Sequence, residues 1–339
     1  MSERSIAYTS PFFKPSIASP LVKITPRILE KIAVHALQYP HLETGEALVG
    51  LAMQQPTKLL KQWVILETIP STEAVRNWGQ VELGDTWQHA VFEWWHANWQ
   101  YYRRRKQAFS EKNIISTQWD FPLAYLGDWH KQPGLVRPSQ GDMKTAQRLL
   151  RQNHLDYLLL PIVNFASQAE QVPSYNTLSI HYQEQNLRID FWGIFSDRPN
   201  HFEALAVEVI DDANVPRLPP IAWYLENTAR YDKELLMLEY HNISVVDITP
   251  WGTRAHPPLD IGWILHPTGA HYIIIVLTPT AYPHRQPQWR IAPLIRPSGD
   301  EDFFAMCYNA SSPVQTLIDW HHQMYLIDGV KKIQEYYSS

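Results

Sequence analysis

The chain has 339 residues, 45% hydrophobic and 12% aromatic with 14 tryptophans, ample for buried cores and unlike a disordered chain. Its 29 basic and 34 acidic residues leave a net charge of −5, which gives no global attraction to phosphate backbones or anionic membranes, so neither nucleic acid nor a membrane is the expected partner. At roughly 100 to 200 residues per domain, the length predicts two domains.

In chain order, residues 1–20 read as a leader of mixed composition without the apolar core of a signal peptide, and no run reaches the roughly 18 apolar residues of a membrane span. Leu21 to Thr25 reads as a short strand. Pro26 then opens a helix carrying Ile28, Ile32 and His35 to Leu37 on a helical period. Glu43 to Met53 and Trp63 to Ile69 are apolar runs separated by a polar turn, the pattern of neighbouring strands. From Asp85 or Thr86 to Lys106, the spacing of Phe92, Trp95, Trp99 and Tyr102 predicts one face of a long helix; the basic run Arg103 to Lys106 closes it, where cations suit the C-terminal dipole. Leu123 to Trp129 is a buried strand, Ser139 to Gln152 a helix with Met143, Ala146 and Leu150 inward, and Tyr157 to Phe165 another strand. Two further strands, Thr177 to Tyr182 and Leu187 to Phe195, precede residues 198–218, read as a proline-rich linker. Domains are thus expected at 21–197 and 219–339. In the second, a helix over Glu226 to Glu239 leads to strands at Ser244 to Ile248, Leu259 to Leu265 and Tyr272 to Leu277. Helices are predicted from Ser312 or Pro313 to Leu326 and from Asp328 to Tyr336. The fold class read from these elements is α/β and α+β in two domains.

The single cysteine, Cys307, rules out an intrachain disulfide framework or a thiolate zinc cluster and fits a reducing cytoplasm. Phosphate-binding glycine loops, G-x-S-x-G and H-E-x-x-H are all missing from the sequence.

What remains is a set of polar residues at element ends. His130 and Asp142 have the chemistry of two metal ligands, Glu43 that of a general base, and Ser139 that of an oxyanion donor. A hydrolytic zinc site needs three protein ligands, an open position for water and a carboxylate that takes the water's proton. Singly, each residue has a plainer reading: Ser139 to Asp142 is a capping box, His130 a strand-end histidine, Glu43 a turn residue.

Together, Glu43-Thr44-Gly45-Glu46-Ala47-Leu48-Val49-Gly50, Gly127-Asp128-Trp129-His130-Lys131-Gln132-Pro133 and Pro138-Ser139-Gln140-Gly141-Asp142 resemble the JAB/MPN (JAMM) metalloprotease family in order, type and spacing. The family pattern runs E-T-G-G-x-L-x-G, then G-x-W-H-x-H-P, then P-S-x-x-D at a helix start. The resemblance covers about residues 20 to 195. It implies a mixed sheet flanked by helices and removal of ubiquitin or a ubiquitin-like protein, with Glu43 as general base, His130 and Asp142 as zinc ligands and Ser139 stabilising the tetrahedral intermediate. Two positions depart from the pattern: Glu46 stands for a glycine and Gln132 for the remaining histidine ligand. An amide oxygen is a weak neutral donor, so Gln132 predicts weakened or absent zinc. His154, the next histidine, lies near the far end of the following helix.

Residues 215 to 339 resemble ubiquitin-conjugating enzymes: Lys233-Glu234-Leu235-Leu236-Met237-Leu238 looks like the first helix, and Tyr282-Pro283-His284-Arg285-Gln286-Pro287 precedes Cys307 and Ser312-Pro313 as in that family. The resemblance implies an antiparallel meander with flanking helices and a modifier thioester on Cys307. The family's H-P-N tripeptide is missing, with Arg296-Pro297-Ser298 near its place.

The expectation is therefore a bacterial-type protein that handles a ubiquitin-like modifier and works with the activating enzyme of the same pathway. The first half would trim precursors or cleave isopeptide bonds with zinc, and the second would transfer a thioester. The alternative is a modifier-binding or scaffold protein that lost zinc through Gln132.

Overall fold

The computed structural model describes residues 7–9, 20–54, 61–77, 80–109, 117–132, 134–165, 174–253, 257–295 and 302–338; Pro133, the Arg296 to Ser298 segment and most of the leader fall outside them. The fold is of mixed α/β class, with a large mixed sheet and a separate five-stranded antiparallel sheet. The chain divides into two compact units, Met1–His96 with Ser110–Leu218, and Ala97–Phe109 with Pro219–Ser339.

In the first unit, β1 (Ala7–Thr9) and β2 (Leu21–Ile24) precede α1 (Pro26–Gln38). Proline in the first turn of α1 carries no N–H to leave unbonded, and Ile28, Leu29, Ile32, Ala33 and Ala36 form its buried stripe. Strands β3 (Thr44–Gln54) and β4 (Lys61–Pro70) pair antiparallel; the small hairpin β5 (Val75–Asn77) and β6 (Gln80–Glu82) then leads to α2 (Thr86–Phe109). The chain continues through β7 (Leu123–Lys131), α3 (Gln140–Gln152), β8 (Tyr157–Leu159), β9 (Ile162–Phe165), β10 (Thr177–Tyr182), β11 (Gln185–Asp190), β12 (Trp192–Phe195), β13 (Arg198–Ala204) and β14 (Ala206–Val209). The main sheet runs β1-β10-β11-β9-β7-β3-β4-β2-β14, with β8, β12 and β13 branching beside β7. One core joins the α1 stripe to Trp63, Leu126, Trp129 and Phe191. A second, smaller cluster sets Ala146 and Leu150 of α3 against Leu158, Ile194 and Phe202, and so fixes the helix that carries Asp142. Burying each such leucine, isoleucine or phenylalanine side chain contributes about 1.5–3 kcal/mol.

The structure departs from the sequence reading at identifiable residues. Tyr157 to Phe165 is not one strand, because Pro161 has no N–H for a ladder; β8 ends at Leu159 and Leu160 donates instead to Trp192 O at 2.7 Å. Residues 198–218, read as a linker, hold β13 and β14 in the main sheet. Pro199 is tolerated because β13 pairs on one side only, with β12, while β14 runs parallel to β2, a partner some 180 residues away that no local pattern announces.

The second unit contains α4 (Trp223–Glu226), α5 (Thr228–Tyr240), β15 (Ile243–Trp251), β16 (Asp260–Pro267), β17 (Tyr272–Thr278), β18 (Gln288–Pro293), α6 (Phe303–Asn309), β19 (Ser312–Pro313) and α7 (Leu326–Ser338). Its sheet is the meander β15-β16-β17-β18-β19. The expected helix from Ser312 to Leu326 does not form. Pro313 and Ser312 pair with β18, Val314 N–H donates to Trp289 O at 2.9 Å, and Gln315 Oε1 accepts from Trp289 N–H at 3.0 Å, so these groups serve the sheet edge. The fully buried Glu234 ties α5 to the start of α7: it accepts from Arg230 Nε at 2.8 Å, from the Tyr282 hydroxyl, and from Leu326 N–H at 2.7 Å. Among the described residues, no helix is long and apolar enough to cross a membrane.

Candidate functional site

Strand β7 supplies the centre of the site, and two glycines let it do so. At Gly45 a Cβ would stand 2.2 Å from Trp129 O, so only glycine lets β3 approach β7 in the register that pairs it with His130. Gly127 has φ +135° and would put a Cβ 2.0 Å from Leu159 O; the ladder with β3 shifts by one residue beside it. Downstream of that shift the strand alternates in the ordinary way. Asp128, His130 and Gln132 line a cleft of about 1330 Å³, while Trp129 and Lys131 serve the opposite face. There, Trp129 Nε1 donates to Glu46 Oε2 at 3.1 Å, and Lys131 Nζ donates to the carbonyls of Ala36, at 3.2 Å, and Tyr39 at the end of α1.

Parallel pairing with β9 holds the distal end of β7, with Gln132 N–H donating to Val163 O at 3.0 Å. The buried Asn164 accepts from Gly134 N–H at 3.0 Å and donates to Leu135 O, and Trp192 Nε1 donates to Val136 O at 2.9 Å. This clamp delivers Ser139 to the N-terminus of α3. The capping box is real: Ser139 Oγ accepts from Asp142 N–H at 3.2 Å, and Asp142 Oδ2 accepts from Ser139 N–H at 2.6 Å. Asp142 Oδ1 is left facing His130 Nε2 at 3.6 Å. Capping and site geometry are therefore the same contacts.

The structure brings Glu43, His130, Gln132, Ser139 and Asp142 to one cleft. Burial pushes the Glu43 carboxyl up to about 7, and the nearby Asp142 charge adds to the shift. Burial lowers His130 from its ordinary value, against the pull of Asp142 and a contact with Gln132, which favours the neutral imidazole. Asp128, a cleft residue outside the motif's named positions, is pushed up to about 6 by burial while the Tyr125 hydroxyl donates to it at 2.6 Å. Its signal in the sequence was the two-residue spacing from His130. Glu46, at the family's glycine position, is a buried partner of Trp129 and of His35 Nδ1, 3.1 Å away, and burial raises it to about 7.

The donor set departs from that of a three-ligand zinc site: among the described residues no group of three His, Cys, Asp or Glu side chains is placed to hold a metal, and Gln132 lines the cleft together with His130 and Asp142. Gln132 is 8% exposed, and its side chain contacts His130. His154 sits exposed past the end of α3 and does not line the cleft.

Cys307 belongs to neither cleft nor surface. It lies on α6 with 0% exposure, packed in the second unit's core with Ile264, Ile275, Leu277 and Phe304. Burial raises its thiol pKa, as does the Asp247 charge, and both lower the thiolate fraction.

No family model matches the chain, and no curated protein matches it. Among solved structures, the solution structure of protein DSY2949 from Desulfitobacterium hafniense is similar over 56% of this chain and 94% of its own, at 13% identity and a TM-score of 0.32.

Proposed function

We propose that the first unit recognises a ubiquitin-like modifier protein through this cleft without zinc-dependent hydrolysis, and that the second unit is a binding module of the same pathway and carries no thioester. The observation that carries the reading is Gln132: the motif residues converge on one cleft, but the position the family gives to a histidine ligand holds a neutral amide. Burial of Cys307 supports the second part. The modifier itself comes from the JAB/MPN resemblance of Glu43 to Gly50, Gly127 to Pro133 and Pro138 to Asp142.

The test uses the full chain with candidate ubiquitin-like modifiers. Saturable binding is expected, with no release from a modifier fusion when zinc is supplied and no thiol-sensitive adduct when the matched activating enzyme is added. Zinc-dependent cleavage by the wild type, or an adduct that disappears in Cys307→Ala, would overturn the reading. One observation favours a hydrolytic alternative: Glu43, at about 7, has the proton affinity of a general base facing a cleft. That alternative requires turnover that Glu43→Gln abolishes while modifier affinity is kept.

A further inference from the structure

The turn that carries Glu43 is anchored by two cations. Residues 39–43 join the end of α1 to β3. At the start of this turn, Lys131 Nζ donates to Ala36 O at 3.2 Å and to Tyr39 O, at the helix end where the dipole favours a positive charge. Tyr39 O also accepts from Leu42 N–H at 3.2 Å, so one carbonyl takes both the lysine and the turn's own closing bond. At the other end, Arg76 donates from Nε to Thr44 Oγ1 at 3.2 Å and from a terminal nitrogen to Ser71 O at 3.2 Å, and its guanidinium carbon lies 4.4 Å from the Tyr39 ring centroid. Glu43 stands between these two fixed points.

Burial works against the lysine as a source of stability. Lys131 is 2% exposed, with Nζ 5.3 Å from the Phe165 ring centroid. An ammonium taken out of water carries a desolvation penalty that a methionine of similar length avoids, whereas holding two carbonyls requires a donor. Strand alternation then links the two faces of β7: His130 enters the cleft while Lys131, one residue on, reaches the turn that brings Glu43 to the same cleft. We propose that Lys131 and Arg76 are positioning residues that hold the 39–43 turn so that the Glu43 carboxyl stays in the cleft. Their role rests on the reading of this cleft as the functional site, but the seat of Glu43 is measured without any modifier, so either can fail without the other.

The experiment treats the full-length chain with a water-soluble carbodiimide and glycine ethyl ester and follows the labelling rate of each carboxyl by peptide mass spectrometry. Glu43 is 8% exposed and Glu46, on the far side of β3, 4%, so both should label slowly in wild type. In Lys131→Met the Glu43 rate should rise at least about fivefold as the turn opens locally, while Glu46 stays protected and the melting temperature is unchanged or higher. Arg76→Met, at a half-buried position, should also raise Glu43 labelling and carries the test if Lys131→Met loses its cooperative melting transition. Glu43 labelling that stays at the wild-type rate in the folded variants overturns the proposal. So does a rise that Glu46 shares, which would make the two cations general supports of the fold.

Discussion

Replacing Cys307 by serine separates a core thiol from a nucleophile. The side chain has 0% exposure and belongs to a buried apolar cluster with Ile264, Ile275, Leu277 and Phe304. Burying a hydroxyl without a hydrogen bond costs about 1–3 kcal/mol by protein mutational data, and loss of the sulfur's apolar transfer and packing adds about 1 kcal/mol. Cys307→Ser is therefore expected to destabilise the second unit by about 2–4 kcal/mol. At about 3–4 °C per kcal/mol for a unit of this size, its melting transition falls by about 6–16 °C. Cys307→Ala, which buries no polar group, should lose about half as much. The assay is thermal and urea unfolding of the three proteins, paired with a chromogenic disulfide reagent at pH 8. The folded wild-type thiol should stay silent until denaturant is added, because burial both raises its pKa and blocks access. Rapid labelling of folded protein, with Cys307→Ser as stable as wild type, would refute the core assignment.

Three other perturbations test separate parts of the structure. In Glu46→Gln, the buried carboxylate's ionisation cost disappears. Its folded pKa is raised to about 7 from 4.5, so wild-type stability is lost as pH rises through that window. The variant should gain about 3 kcal/mol over wild type at pH 8, and the gain should vanish near pH 4.5; equal stabilities across that range in denaturant titrations would contradict it. Gly45→Ala places a methyl 2.2 Å from Trp129 O and should cost about 1–3 kcal/mol while shifting backbone amide resonances of β3 and β7; a neutral result would mean the strands need not approach so closely. Glu234→Ala leaves the Arg230 guanidinium, whose side chain is 12% exposed, without its carboxylate and should cost about 3–5 kcal/mol, read by urea unfolding. A loss below about 1 kcal/mol would show that Arg230 is satisfied by its other contacts, the Tyr282 hydroxyl and Met324 O.

Much of the candidate site was legible before any coordinates, because its parts are local. The capping box fixes Ser139 and Asp142 within one helical turn, and strand alternation sets His130 and Gln132 on one face. The same alternation places Asp128 on that face, at a position the family pattern leaves open. Less legible was the support behind the site. Asn164 lies some 30 residues from the loop it clamps, and the Glu46 to Trp129 hydrogen bond spans 83 positions. Such partners carry no periodic signal.

Sequence alone determined most of the element types, the mixed α/β class and the residues capable of site chemistry, since hydrophobic period, caps and glycine or proline punctuation act over a few residues. Tertiary structure decided which of those residues meet and which are hidden. It paired β14 with β2, turned the supposed linker into strands, drew Ser312 and Pro313 to the edge of β18, and sealed Cys307 in a core. It also brought Gln132 into one cleft with His130 and Asp142. Burial and long-range pairing depend on what the rest of the chain places opposite a residue, and that is a property of the fold and not of any window of sequence.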